Sequence, residues 1–304
     1  MRGLARIREM YGAPELLDDP DLFFGTPLRI DPAEHPVRSV IRGARVVDLE
    51  WPSDPTPFHP STAEAMARYP ANHRCWARWF RDPTRPRPTV IWLHGYRGGD
   101  FATEQWVAPV RWLFGHGCDV VLGLLPHHGR RRTDGKVHFP AADPRYTIEG
   151  FRQAIGDLRA LVAFLERRGA LAVGAWGMSL GGFTTALLAT VEPRLAFAVP
   201  IVPLASFADF ASAGRRLVGT PEQAAAQYEA LERVYRVVSP LARPPMPPPE
   251  RLLVIAGAVD RITGLPQARR IAEHFHCPIV TFPGGHLLQV GRREAFREAL
   301  SLVR

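Results

Sequence analysis

From about residue 89 onward, short and nearly continuous apolar runs alternate with longer segments whose apolar positions recur every three or four residues. The runs cover 90–93, 120–125, 171–176, 195–202, 252–258 and 279–282. Runs that stay apolar at successive positions suit strands covered on both faces, as in a parallel sheet. The clearest helical segment is 147–168, where Phe151, Ile155, Leu158, Val162 and Leu165 form one stripe. Another opens at Pro266, a favoured first helical position, and a last one carries Phe296, Leu300 and Val303. Strands and helices in alternation predict an α/β fold built on a mostly parallel, doubly wound sheet.

Two regions break this rhythm. Residues 1–88 are rich in proline and read as irregular, with strand character only at 37–49 and 73–80. They are expected to form an N-terminal extension that includes the first strands of the sheet. The segment 203–250 is too long for an ordinary connection. It holds a helical stretch near 221–238 and ends in Pro244-Pro245-Met246-Pro247-Pro248-Pro249. It reads as a helical cap inserted into a main domain of residues 89–304, with a stiff extended return.

The strongest chemical signal is Gly177-Met178-Ser179-Leu180-Gly181. It follows one strand candidate and opens a helix, the context in which G-x-S-x-G exposes a serine on a sharp turn above a sheet edge. The flanking glycines let the backbone turn and let strand and helix approach closely. Three further segments follow strand candidates: Leu93-His94-Gly95-Tyr96, Gly257-Ala258-Val259-Asp260-Arg261-Ile262 and Gly284-Gly285-His286.

With these four motifs in this order, residues 89–304 resemble the α/β-hydrolase superfamily. The resemblance implies a catalytic domain with a Ser179–Asp260–His286 triad, the chain order expected of that fold. His286 is then the general base, Asp260 its orienting acid, and the backbone N–H groups of Tyr96 and Leu180 the oxyanion donors. Asp209, which follows the preceding strand candidate, is the alternative acid. His94 is expected to brace its loop and Trp176 to pack in the core. The expected reaction is hydrolysis of a small-molecule carboxylic ester through an acyl-enzyme. A peptidase or amidase using the same triad, and a non-catalytic binding protein of the same fold, are the alternatives. The His94-Gly95-Tyr96 loop and Ala198-Val199-Pro200 are also similar to segments of acetyl-ester deacetylases such as acetyl xylan esterases.

Composition changes this picture little. The chain has 304 residues, 38 Lys and Arg against 30 Asp and Glu, and a net charge of +8. Such a balance raises the question of a polyanion partner. However, Lys136 is the only lysine, and arginine spread along an Ala-, Gly- and Pro-rich chain reads as compositional bias, so no nucleic-acid partner is expected. One local cluster stands out. Pro126-His127-His128-Gly129-Arg130-Arg131-Arg132 follows a strand, so His127, His128 and Arg130 are candidates for contacting substrate, and the three arginines suggest a preference for anionic esters. No metal or cofactor is called for, since His127, His128, His274 and His276 lack accompanying Cys or carboxylate spacing. Cys75, Cys118 and Cys277 imply no disulfide framework. No apolar stretch approaches the ~20 residues that span a bilayer, and the first residues lack an apolar core behind their charges, so a cytoplasmic protein is expected.

Overall fold

A computed structural model describes residues 2–54 and 56–303. Among these, nine strands form one sheet: β1 (Ala33–Val37), β2 (Arg45–Pro52), β3 (Arg74–Arg81), β4 (Thr89–Leu93), β5 (Asp119–Gly123), β6 (Val173–Met178), β7 (Phe197–Ile201), β8 (Val254–Gly257) and β9 (Ile279–Phe282). Their spatial order is β1-β2-β3-β5-β4-β6-β7-β8-β9. The pairs from β1 to β5 run antiparallel, and those from β5 to β9 are parallel. Every residue of β4, β5 and β7 is buried, which explains their nearly continuous apolar sequence.

Successive residues feed opposite faces. Ile91, Leu93, Val121 and Ala175 pack with Phe151, Leu158 and Leu187 on one side. Val90, Trp92, Val120 and Trp176 pack with Leu113, Phe296 and Leu300 on the other. Trp176 is the core residue expected, its ring 5.6 Å from that of Phe296.

The long helix Pro144–Arg167 begins three residues before the expected start at 147 because Asp143 caps it and Pro144 fills its first position. It is buried on more than its apolar face. Glu149 accepts hydrogen bonds from the Tyr11 hydroxyl at 2.8 Å and from the Phe58 and His59 N–H groups, each at 2.9 Å. Arg159 donates to Asp21 at 2.7 Å and to the Gly25 carbonyl at 2.8 Å, and pairs with Glu192 at 3.1 Å.

These contacts order the N-terminal region, where the sequence reading saw irregular chain. Residues 2–24 contain the helices Arg2–Tyr11, Glu15–Asp18 and Pro20–Phe24. The stretch read as strand over 37–49 is instead a hairpin. β1 ends at Val37, Gly43 turns the chain at φ 81°, and β2 starts at Arg45.

Within 203–250 lie the helices Phe207–Ala213, capped by Ser206, and Pro221–Tyr235, closed by a Thr220–Gln223 capping box. Phe207 seats this segment on the molecule, 5.2 Å from Phe183, and stacks at 4.7 Å on Tyr235 of the same segment. Arg243 then donates to the Leu16 carbonyl at 2.8 Å and the Leu17 carbonyl at 3.1 Å. No helix among the described residues is long and apolar enough to cross a membrane.

Candidate active site

The residues singled out by motif stand at the carboxyl ends of parallel strands, where α/β sheets place their sites. β6 runs straight into Ser179, whose φ of 56° and ψ of −111° put a non-glycine residue in a strained region. The helix Leu180–Ala189 starts immediately afterwards. The turn is this tight because both flanking glycines are needed. A side chain at Gly181 would run into the Leu93 carbonyl, and one at Gly177 into the Gly181 carbonyl.

His286, in the loop after β9, brings Nε2 to 2.8 Å from Ser179 Oγ, and its Nδ1 lies 2.8 Å from Asp260 Oδ2. The side chains of His286 and Asp260 are 6% and 2% exposed. Asp260 also accepts through Oδ1 from the N–H groups of Ile262 at 2.8 Å and Thr263 at 3.1 Å. It therefore caps the following turn with one oxygen and faces the imidazole with the other. Burial opposes its charge, but the bonds from His286, Ile262 and Thr263 outweigh that effect and pull its pKa down to about 2.

Thr263, which the sequence reading missed, stands beside this pair. Its Oγ1 is 2.9 Å from Asp260 Oδ2, 3.1 Å from the Val202 carbonyl and 3.3 Å from His286 Nδ1. The available signal was its position three residues after Asp260, a spacing at which hydroxyl and carboxylate side chains commonly bond locally.

The alternative acid, Asp209, is engaged elsewhere. It takes hydrogen bonds from the Tyr228 hydroxyl at 2.7 Å and Gln267 Nε2 at 2.8 Å, and pairs with Arg270. Leu180 opens its helix, so its N–H belongs to the first turn that lacks intrahelical acceptors. Tyr96 lies in the loop after β4 and is 54% exposed. His94 braces that loop as expected. Its Nδ1–H donates to the Gly95 carbonyl at 2.8 Å, while Nε2 accepts from the Leu125 N–H at 3.2 Å.

The 126–132 segment corrects the picture of a positive patch. Arg131 is fully buried, paired with Asp157 at 2.8 Å and donating to the Leu124 and Asn72 carbonyls, each at 3.1 Å. Arg130 pairs with Asp48 at 3.1 Å and lies over the Trp76 ring, and Arg132 donates to the Arg97 carbonyl at 3.3 Å. The three side chains thus diverge, because a short 3-10 turn at Gly129–Arg131 sends adjacent residues in different directions. They form no common anion site.

His127 and His128 are both buried. Burial is the main force pushing their pKa values down, to about 3 and about 2, so both are neutral. Asn72 Nδ2 donates to His127 Nε2 at 3.2 Å. His128 Nδ1–H donates to the Pro126 carbonyl at 2.8 Å, and its ring lies 4.8 Å from His94 and 6.2 Å from Tyr96. His274 bonds the Arg243 carbonyl at 2.8 Å, and no group of three or more metal-binding side chains occurs among the described residues.

Over 288 residues the chain is 30% identical to the uncharacterized protein Rv2627c of Mycobacterium tuberculosis H37Rv, covering 91% of this chain and 68% of that protein. The chain belongs to the Rv2627c family. MT2702 of M. tuberculosis CDC 1551 matches with the same identity and coverage. No family model matches.

Among solved structures, acetyl xylan esterase 1 from Thermoanaerobacterium sp. JW/SL YS485 superposes with a TM-score of 0.63 at 18% identity, covering 99% of this chain and 98% of that one. The acetyl xylan esterase from Paenibacillus sp. R4 gives 0.64 at 13% identity, covering 99% of both chains. A puromycin-hydrolyzing peptidase of M. tuberculosis gives 0.51 at 18% identity, over 75% of this chain and 36% of that one. At these identities the likeness is one of fold, and this Rv2627c relative has the α/β-hydrolase fold.

Proposed function

We propose that the protein is a serine hydrolase that cleaves a carboxylic ester through an acyl-enzyme intermediate. The observation that carries this reading is the continuous path from Ser179 Oγ through His286 to Asp260, with 2.8 Å at each step. In this reading His286 Nε2 takes the Ser179 proton as Oγ attacks the acyl carbonyl. Asp260 accepts from Nδ1–H, fixing the tautomer and stabilising the imidazolium. The N–H groups of Leu180 and Tyr96 receive the developing oxyanion, each worth on the order of 3 kcal/mol. His286 then protonates the leaving alkoxide, and a water activated by the same nitrogen releases the acid.

The fold shared with acetyl xylan esterases supports an ester substrate. The fold shared with a puromycin-hydrolyzing peptidase keeps an amide substrate as the second reading. Ser179→Ala is expected to lose nearly all turnover of p-nitrophenyl acetate and butyrate, and all labelling by a fluorophosphonate probe. Unchanged turnover in that variant would overturn the assignment. A panel of aminoacyl amides separates the two substrate classes, since ester cleavage without amide cleavage removes the peptidase reading.

A further inference from the structure

Leu287 and Leu288, the two residues after His286, are 77% and 79% exposed, and Val290 is 71% exposed. Val259 and Ile262, on either side of Asp260, are 62% and 46% exposed. Consecutive Cα atoms are 3.8 Å apart, so a residue one or two positions away lies within about 4 or 7 Å of its triad neighbour. The two loops also touch each other. The Val259 N–H donates to the Gly284 carbonyl at 3.4 Å, and a Cβ on Gly285 would stand 3.8 Å from Val259 Cγ2. Leu287, Leu288, Val259 and Ile262 therefore flank the site on the side formed by His286 and Asp260, and Val290 belongs to the same loop, its N 2.5 Å from where a Cβ on Gly284 would stand.

The loop that carries three of them is held in place. Its Gly285 N–H bonds the Leu288 carbonyl at 3.0 Å, Gln289 Nε2 bonds the His286 carbonyl at 3.2 Å, and Arg292 ties its end to the Val107 carbonyl at 2.7 Å. Single exposed apolar residues are ordinary, whereas a contiguous cluster marks a surface with something to bind.

The mechanism indicates which part of an ester meets this patch. His286 Nε2 must hand its proton to the leaving oxygen, so the alcohol departs on the histidine side. We propose that the patch around Leu287 and Leu288 seats an aliphatic alcohol moiety, so that the enzyme prefers acetate esters of longer alkyl alcohols to those of short or hydrophilic ones. This inference rests on the serine-hydrolase reading. Each methylene that the patch half-shields from water should improve kcat/KM about twofold.

The test compares ethyl and hexyl acetate, below the solubility limit of each, by acid release in a pH-stat. It uses the wild-type chain and the double variant Leu287→Ser/Leu288→Ser. The wild type is expected to favour hexyl acetate about tenfold in kcat/KM, and the double variant to lose most of that ratio. Each ratio is internal to one preparation, so a partly unfolded variant does not mimic the result. Equal kcat/KM for the two esters in the wild type, or a ratio unchanged in the variant, overturns the inference. So does a sedimentation result in which a wild-type dimer dissociates in the variant while the ratio stays the same, because the patch then serves a second copy of the chain. If Ser179→Ala hydrolyses both esters at the wild-type rate, the serine-hydrolase reading falls and this inference with it. A flat ratio with turnover that depends on Ser179 removes only the inference.

Discussion

Arg131 Nη1 meets Asp157 Oδ2 at 2.8 Å, with the two side chains 0% and 7% exposed. The pair joins the turn after β5 to the long helix Pro144–Arg167, and Ser53 adds a hydroxyl donated to the same carboxylate at 2.7 and 2.9 Å. A buried ion pair adds little over an apolar pair of equal volume, but breaking it strands a charge. Asp157→Ala should therefore cost about 3–5 kcal/mol. Arg131→Met/Asp157→Leu should recover most of that loss. Urea unfolding of the three proteins measures both, and equal stability of single and double variants would show that Arg131 finds water once Asp157 is gone.

Asp260 makes stability depend on acid. Its pKa of about 2 in the folded state lies below the ordinary carboxylate value of 3.8. A depressed pKa gives stability that is full above the unfolded value and is lost as pH falls from about 4 towards 2. The amount is on the order of 2 kcal/mol. Unfolding free energies at pH 7, 4 and 2.5 should show a shallower acid decline in Asp260→Asn than in the wild type. Parallel declines would mean that the carboxyl titrates normally.

The strained backbone at Ser179 separates stability from chemistry. At φ 56° a Cβ is unwelcome, and such strain costs on the order of 1–3 kcal/mol. Ser179→Gly and Ser179→Ala both remove the hydroxyl, yet only glycine relaxes the turn. Ser179→Gly should unfold at a higher temperature than Ser179→Ala, by an amount equivalent to about 1 kcal/mol or more. A melting temperature for Ser179→Gly at or below that of Ser179→Ala contradicts this.

Thr263 is expected to act through Asp260. Replacing its hydroxyl by a methyl in Thr263→Val removes one hydrogen bond of about 1 kcal/mol, equivalent to roughly a fivefold loss of kcat/KM. The loss should fall on kcat with KM little changed, because the hydroxyl touches Asp260, the proposed orienting acid. Thr263→Ser should restore it. Equal losses in both variants would assign the effect to packing.

The parallel half of the sheet was legible because strands covered on both faces leave a nearly continuous apolar signature. Ser179, Asp260 and His286 were legible because each follows such a strand within a few residues, where glycine marks the turn. Within residues 1–88 the strand at 73–80 was legible as β3 (Arg74–Arg81), but the helices of residues 2–24 were not. These are fixed by Glu149 and Arg159, which lie far along the chain and read locally as charged interruptions of a helical stripe. Arg131 misled for the same reason. Three adjacent arginines resemble a charged surface, and only the distant Asp157, Ser53 and Asn72 show that the middle one points inward. Thr263 escaped notice because its bond to Asp260 is local, while its relation to His286 exists only after β9 has been added beside β8.

The bond from Arg243 to the Leu16 and Leu17 carbonyls spans 227 and 226 positions of the chain. During synthesis at about 5–20 residues per second, the opening helices therefore wait some tens of seconds or less for the segment that clamps them. Throughout that interval Tyr11, Leu16 and Phe23, all buried in the finished molecule, have no completed core to enter. The helices of residues 2–24 thus find their partners at three later positions, Glu149, Arg159 and Arg243.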